Sequence, residues 1–181
     1  MCIRDSIDEA VVEERSILGI GIGIYGIVDA ATGTVVSSPM FNWHDIDLLQ
    51  PIEEAFHFPV IIDNGTRAMA LGEKMVGHAK EAENFLYVNF GYDIDAALLI
   101  NGGLYYGASS QAGSLGEAPI LLDGQFRTLN ELATARGIEE QAIRKVCSLS
   151  HGKGSLILDM VFGHSDRINI YTIIEAANNG D

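Results

Sequence analysis

The sequence predicts an α/β fold, and three observations carry that expectation. Short apolar runs of strand length alternate with longer segments of helical spacing, glycine and asparagine turns punctuate them, and no internal repeat or low-complexity tract breaks the alternation. Ile7 to Ser16 reads as the end of an acidic amphipathic helix, with Ile7, Ala10 and Val11 at helical spacing. Ile17 to Ile24 alternates isoleucine with glycine, as in a buried strand whose backbone another segment approaches closely. Asp29 to Gly33 makes a turn and Thr34 to Ser37 returns, forming a hairpin. Asp47 to Phe56 reads as a short helix and Pro59 to Ile62 as the next strand. That strand ends in the polar turn Asp63-Asn64-Gly65-Thr66. Asn64 or Thr66 can cap the following helix, whose Ala68, Leu71, Gly72 and Met75 share one face.

Phe85 to Phe90, Ala96 to Ile100 and Leu104 to Tyr106 then read as strands. Asn101-Gly102-Gly103, between the last two, carries the Asn-Gly signal of a tight hairpin. A Ser/Gly/Ala loop runs from Gly107 to Gly116 and Pro119 to Leu122 is a further strand. Helices follow near Leu129 to Thr134, Ile138 to Val146, Ser155 to Phe162 and Arg167 to Ala177.

Bulk composition bounds the function. With 181 residues, 48% hydrophobic content and a mean hydropathy of +0.17, the chain can bury a sizeable core as one domain or as parts of two. Eleven Lys and Arg against 25 Asp and Glu give a formal charge of −14, which repels a phosphate backbone. This segment by itself is therefore not expected to bind DNA. Cys2 and Cys147 are far apart, which excludes a cysteine zinc framework and a disulfide scaffold, and a reducing cytoplasm is the expected setting. No apolar run is long enough to span a bilayer. Met1 to Ser6 lack the apolar core of a signal peptide and read as a non-native end, residues 1–6, outside the fold reasoning.

From Ile17 to Gly116 the chain resembles the ROK family of repressors, open reading frames and kinases. Gly19-Ile20-Gly21-Ile22-Gly23-Ile24-Tyr25-Gly26-Ile27-Val28-Asp29 is similar to the family's glycine-rich strand and turn, with Tyr25 where proline is usual. Ser38-Pro39, Asn42-Trp43, Ala70-Leu71-Gly72-Glu73, Ile100-Asn101-Gly102-Gly103-Leu104-Tyr105 and Ala112-Gly113 continue the likeness in the family's order. The resemblance implies an actin-like (ribonuclease-H-like) ATPase/sugar-kinase fold, here incomplete at both ends. Residues 7–76 would be the remainder of the N-terminal lobe and residues 77–181 the first part of the C-terminal lobe.

The resemblance also implies what three positions should do. Phosphorylating a hexose needs a carboxylate to accept the hydroxyl proton, and the family's aspartate for that role is replaced by Gly65. Asp63 and Asn64 either cap the helix and satisfy turn amides or contact a ligand. The family's glycine-rich phosphate turn is matched by Gly91-Tyr92-Asp93-Ile94-Asp95-Ala96-Ala97, where Asp93 and Asp95 would repel a polyphosphate or, less commonly, hold a cation. An exposed acidic turn is the ordinary meaning of such a segment. The family's sugar-contacting and zinc-binding Ala-Gly-Glu-x-Gly-His corresponds to Ala112-Gly113-Ser114-Leu115-Gly116-Glu117. There Ser114 and Glu117 can still hydrogen-bond a hydroxylated ligand, but the zinc histidine and the cysteine cluster that should follow are absent, with Asp123 to Leu129 bridging the gap directly. His44, His57, His78, His151 and His164 lie far from one another and read as surface or helix-end residues. Asn42 with Trp43 suits either a sugar site or core packing beneath a loop.

Three functions stay open on this reading. The first is the non-catalytic sugar-sensing domain of a ROK-type transcriptional regulator, with a small-molecule sugar as partner, no cofactor, no membrane and DNA reached through an upstream helix-turn-helix. The second is an ATP- and magnesium-dependent hexose kinase that uses Asp63 or Glu117 as a displaced base. The third is a decayed gene that binds nothing. Self-association into a homo-oligomer is a further expectation of the family resemblance.

Overall fold

The Ile-Gly alternation near the start becomes a strand because its glycines let neighbouring backbone come close. In the computed structural model, which describes residues 17–91, 93–148 and 155–180, β1 (Ile20–Ile24) lies parallel to β5 (Val60–Asn64), with Ile20 opposite Val60 and Ile24 opposite Asn64. A Cβ on Gly23 would stand 3.1 Å from the Cα of Gly65, so the glycine at position 23 makes this approach possible. The chain bends at Tyr25-Gly26 into β2 (Ile27–Asp29), which pairs antiparallel with β3 (Thr34–Ser38), and β3 pairs with β4 (Trp43–Asp47). The helix α1 spans Leu49–Phe56.

The segment from Asp47 is thus corrected: the helix starts at Leu49 and the residues before it form a strand. Its alternation is hidden because Asp45 takes a left-handed backbone (φ 51°), so Trp43 and Ile46, three residues apart, both reach the core. Ile24, Val28, Val35, Val60 and Ile62 are buried there, and Ile20, Ile22, Leu49 and Ile52 pack against them.

Helix α2 (Gly65–Met75) follows β5 without a loop. The face shared by Ala68, Leu71 and Met75 is exposed, Met75 to 73%, whereas Thr66, Arg67 and Ala70 are buried. Hydrophobicity along the helix is weak, and Arg67 turns inward because it finds a full set of partners there. Ala70 packs with Ala97, Leu99, Phe85, Tyr87 and Leu104. These belong to a three-stranded sheet of β6 (Phe85–Phe90), β7 (Ile94–Ile100) and β8 (Gly103–Tyr105) in that order. Asn101 (φ 52°) and Gly102 (φ 77°) make the β7–β8 turn, the left-handed pair that an Asn-Gly hairpin requires.

The chain divides into two compact units. The first holds the described residues up to Tyr87 together with Ala97–Ala112; the second holds Val88–Ala96 and the described residues from Gly113 onward. In the second unit a short 3-10 turn (Leu115–Glu117) precedes β9 (Pro119–Leu122) and β10 (Gln125–Thr128), an antiparallel hairpin. A turn at Asp123-Gly124 (φ 50° and 76°) joins the two strands, and β10 is a strand that the sequence reading did not include. Asp-Gly is a hairpin signal as strong as Asn-Gly.

Thr128 and Glu131 form a capping box that starts α3 (Leu129–Ala133). Then come α4 (Ala135–Ser148), α5 (Leu156–Met160) and α6 (Ile170–Asn178), around a core of Val146, Val161 and Ile168 with Ile143, Ile157 and Ile173. The helix read over Ile7 to Ser16 and the non-native end lie outside the described residues. Among those described, no helix is long and apolar enough to cross a membrane.

Candidate functional site

The junction of β5 and α2 gathers the polar residues of the Asp63-Asn64-Gly65-Thr66 turn. Asn64 caps the helix: its Oδ1 accepts from the amides of Thr66 (2.8 Å) and Arg67 (3.1 Å), while its Nδ2 donates to the carbonyl of Gly26 (2.8 Å). Gly65 is the first residue of α2, and two of the first-turn amides that have no partner within the helix are satisfied by the Asn64 side chain.

Asp63 is turned onto its own chain. Its Oδ1 accepts from the Nε of Arg67 (2.6 Å) and from the amide of Asn64 (2.7 Å), and its Oδ2 accepts from the hydroxyl of Tyr106 (3.2 Å). The Arg67 side chain is 4% exposed and that of Asp63 12%. The remaining nitrogens of the guanidinium are also engaged, Nη2 on the carbonyl of Val28 (2.7 Å) and Nη1 on that of Ser110 (3.0 Å). Its plane lies over the Tyr106 ring, 4.8 Å from the centroid. Burial pushes the Tyr106 hydroxyl above its ordinary value of 10.0, and the negative charge and hydrogen bond of Asp63 add to this against the opposing charge of Arg67. Beside this network the Thr66 hydroxyl is buried with no hydrogen-bond partner among the described residues.

Sequence reasoning found Asp63, Asn64 and Gly65 but not Arg67 or Tyr106. Arg67 carries a readable signal, a cation in the small-residue first turn of a helix, four positions from an acid. Tyr106 carries none, since 43 residues separate it from Asp63. Asn42 sits elsewhere, exposed in a left-handed conformation (φ 54°) just ahead of Trp43, whose ring meets Phe41 at 4.8 Å.

In the second unit the acidic turn and the Ser114 to Glu117 segment converge on one amide. Asn130 Oδ1 accepts from the amide of Ile94 (2.9 Å), its Nδ2 donates to Glu117 Oε1 (3.2 Å), and its side chain also hydrogen-bonds Asp93. Asp93 is thus drawn partly inward and does not form a simple exposed acidic turn; its Oδ1 is buried with no partner among the described residues. Asp95 accepts from the Ala96 amide (3.0 Å), and that same amide donates to the carbonyl of Gly113 (2.8 Å). Gly91 closes the turn through its amide on the Asp93 carbonyl (3.2 Å). Ser114 is half-buried and its carbonyl accepts from the amide of the exposed Glu117 (3.3 Å). Carboxylates at these positions give the turn negative potential.

Burial raises the Asp93 carboxyl above its ordinary value of 3.8, with hydrogen bonds from Asn130 and Ile94 opposing and the charge of Glu117 reinforcing. The folded chain therefore holds that proton more tightly than the unfolded chain. The group stabilises the fold fully below pH 3.8, and this contribution is lost as pH rises through the higher folded value. Asp93→Asn is accordingly expected to stabilise the protein at pH 7, with the gain shrinking toward pH 4. Thermal unfolding of both proteins at the two pH values measures it, and an equal gain at both would contradict the assignment.

A parallel β1–β5 pair feeding α2, followed by the β6–β8 sheet, is the layout of the actin-like sugar-kinase fold, which is shared by kinases and regulators. The chain is similar to the ROK family glucokinase from Streptomyces griseus solved with glucose and AMPPNP, with TM-score 0.68 and 25% identity, covering 99% of this chain and 60% of that one. It is also similar to a ROK family transcriptional regulator that is a homolog of the E. coli MLC protein, with TM-score 0.64 and 26% identity over 90% of this chain and 41% of the other.

The ROK family model matches residues 1–181, and the chain belongs to the ROK family. The xylose repressor of Caldicellulosiruptor bescii is 30% identical over 179 residues, covering 98% of this chain and 45% of the repressor. The chain spans less than half the length of the xylose repressors it matches.

Proposed function

We propose that this chain is the sugar-sensing part of a ROK-type transcriptional regulator that recognises a sugar without phosphorylating it. One observation carries the reading: the base position is Gly65, and the nearest acid in sequence, Asp63, is held by Arg67, Asn64 and Tyr106. A carboxylate that already accepts three hydrogen bonds within its own chain is poorly placed to take a proton from a sugar hydroxyl. Glu117 is engaged by Asn130, and the turn that should cradle phosphates carries Asp93 and Asp95. The likeness to repressors supports the regulatory half of the reading. DNA contact would come from a basic helix-turn-helix in the full-length protein, since this acidic segment repels DNA.

Neither zinc nor ATP belongs to this reading. The donors at Ser114 to Glu117 amount to one carboxylate and a hydroxyl, and no group of three or more metal-ligating side chains occurs among the described residues.

Incubating the full-length protein with ATP, Mg²⁺ and a panel of hexoses and pentoses tests the proposal. No turnover is expected, while one sugar should raise the unfolding midpoint; saturation at 100 times Kd corresponds to about 2.7 kcal/mol. Turnover with any sugar would refute the non-catalytic reading, and the absence of stabilisation by every sugar would refute sensing. Gly65→Asp should leave the protein inactive although a side chain fits there: a Cβ at Gly65 would meet only the Ile24 carbonyl oxygen at 3.8 Å and the Gly23 carbonyl carbon at 3.9 Å.

A further inference from the structure

We propose that Arg67 is an internal guanidinium ligand that keeps the loop between Tyr106 and Ala112 clasped to the β5–α2 corner with no sugar bound. This goes beyond the regulatory reading and does not depend on it. The loop has little of its own to hold it. Gly107, Ala108, Ser109 and Gln111 are exposed, and Gly107 (φ 73°) and Ser110 (φ 56°) both take the left-handed conformation. An exposed segment with few buried apolar contacts opens readily.

What fixes the loop is the guanidinium. Its middle is gripped where Nη1 of Arg67 donates to the Ser110 carbonyl, and its start where the Tyr106 ring lies under the guanidinium and its hydroxyl reaches Asp63. The loop then closes through the Ala112 amide on the Tyr106 carbonyl at 3.1 Å. Nη2 on the Val28 carbonyl anchors the same side chain to β2, so one residue joins β2, β5, α2 and the loop.

Four acceptors or faces, namely Asp63 Oδ1, the Val28 and Ser110 carbonyls and the Tyr106 ring, surround a planar cation in the geometry that a guanidinium fork fills and an ammonium does not. The consequence is that loop order at this corner is built into the chain. A sugar gains nothing by ordering it.

Amide exchange in the full-length protein tests the inference. Without sugar the Ala112 amide should be protected, and Arg67→Ala should speed its exchange by at least about tenfold while the β9–β10 amides, in the other unit, keep their rates. Methylguanidinium should restore protection in that variant and methylammonium should not. If Arg67→Ala does not fold, Arg67→Lys, which keeps the charge but loses the fork, should fold and still release the loop. An Ala112 amide protected only after a sugar is added, or protection unchanged in whichever of the two variants folds, overturns the proposal.

Discussion

Arg67→Met is expected to destabilise the folded chain by about 3–5 kcal/mol, because it leaves the nearly buried Asp63 carboxylate without its cation. The substitution keeps much of the side-chain volume, so the loss reports charge and hydrogen bonding more than a cavity. Three acceptors each lose the bond from Arg67 together: Asp63 Oδ1, which keeps only the Asn64 amide, the Val28 carbonyl and the Ser110 carbonyl. Asp63→Asn alone should also destabilise, since the amide cannot accept from Arg67, Asn64 and Tyr106 with both atoms. The double variant should cost less than the sum of the single ones, by roughly 1–3 kcal/mol, because the pair strands no charge once both partners are gone. Urea unfolding of the four proteins measures the cycle, and strict additivity would show that the ion pair contributes nothing.

Gly26→Ala is expected to cost about 3 kcal/mol or more, combining a backbone held in a strained region with forced overpacking. Gly26 sits at φ 133°, and a Cβ there would overlap the Ser37 carbonyl oxygen and crowd the Ser38 Cα. Those neighbours are main chain and cannot rotate away. The bend is pinned on both sides, by Ser38 Oγ donating to the Tyr25 carbonyl (2.6 Å) and Asn64 Nδ2 donating to the Gly26 carbonyl (2.8 Å). Gly21→Ala is the matched control: a Cβ on Gly21 meets nothing within 4 Å, so the change should stay within about 0.5 kcal/mol. Equal losses at the two glycines would mean that the bend tolerates a side chain and that glycine there reflects composition alone.

Both substitutions fall on the same corner, and they differ in how readable they were. Gly26 stands in a glycine-rich run whose resemblance to the family turn is visible in the sequence, and the bend it permits is a local property of the backbone. Arg67 is visible only as an oddity among Ala68, Ala70 and Leu71, and nothing local shows that its side of α2 is the buried one. Tertiary partners decide it, since burying a cation is favourable only where an anion, two carbonyls and an aromatic face already wait. Missing β4 has a similar origin: a left-handed Asp45 puts Trp43 and Ile46 out of the two-residue period that marks a strand. Missing β10 does not, because Asp123-Gly124 was present to be read.

The second unit shows the same division. Asp93, Asp95, Ser114 and Glu117 are legible as polar residues in two glycine-bearing segments. Asn130, which joins Asp93 to Glu117, lies 36 residues beyond Ile94 and has no local pattern to reveal it.

The sequence by itself determined the α/β class, the family and most strand and helix positions, because each rests on spacing or residue identity within a few positions. Only the tertiary structure decided what became of the remaining acids. Asp63 is paired with Arg67 and accepts from Tyr106, and Asp93 is half-buried against Asn130, since a charge's role depends on which distant donors the fold brings within hydrogen-bond reach.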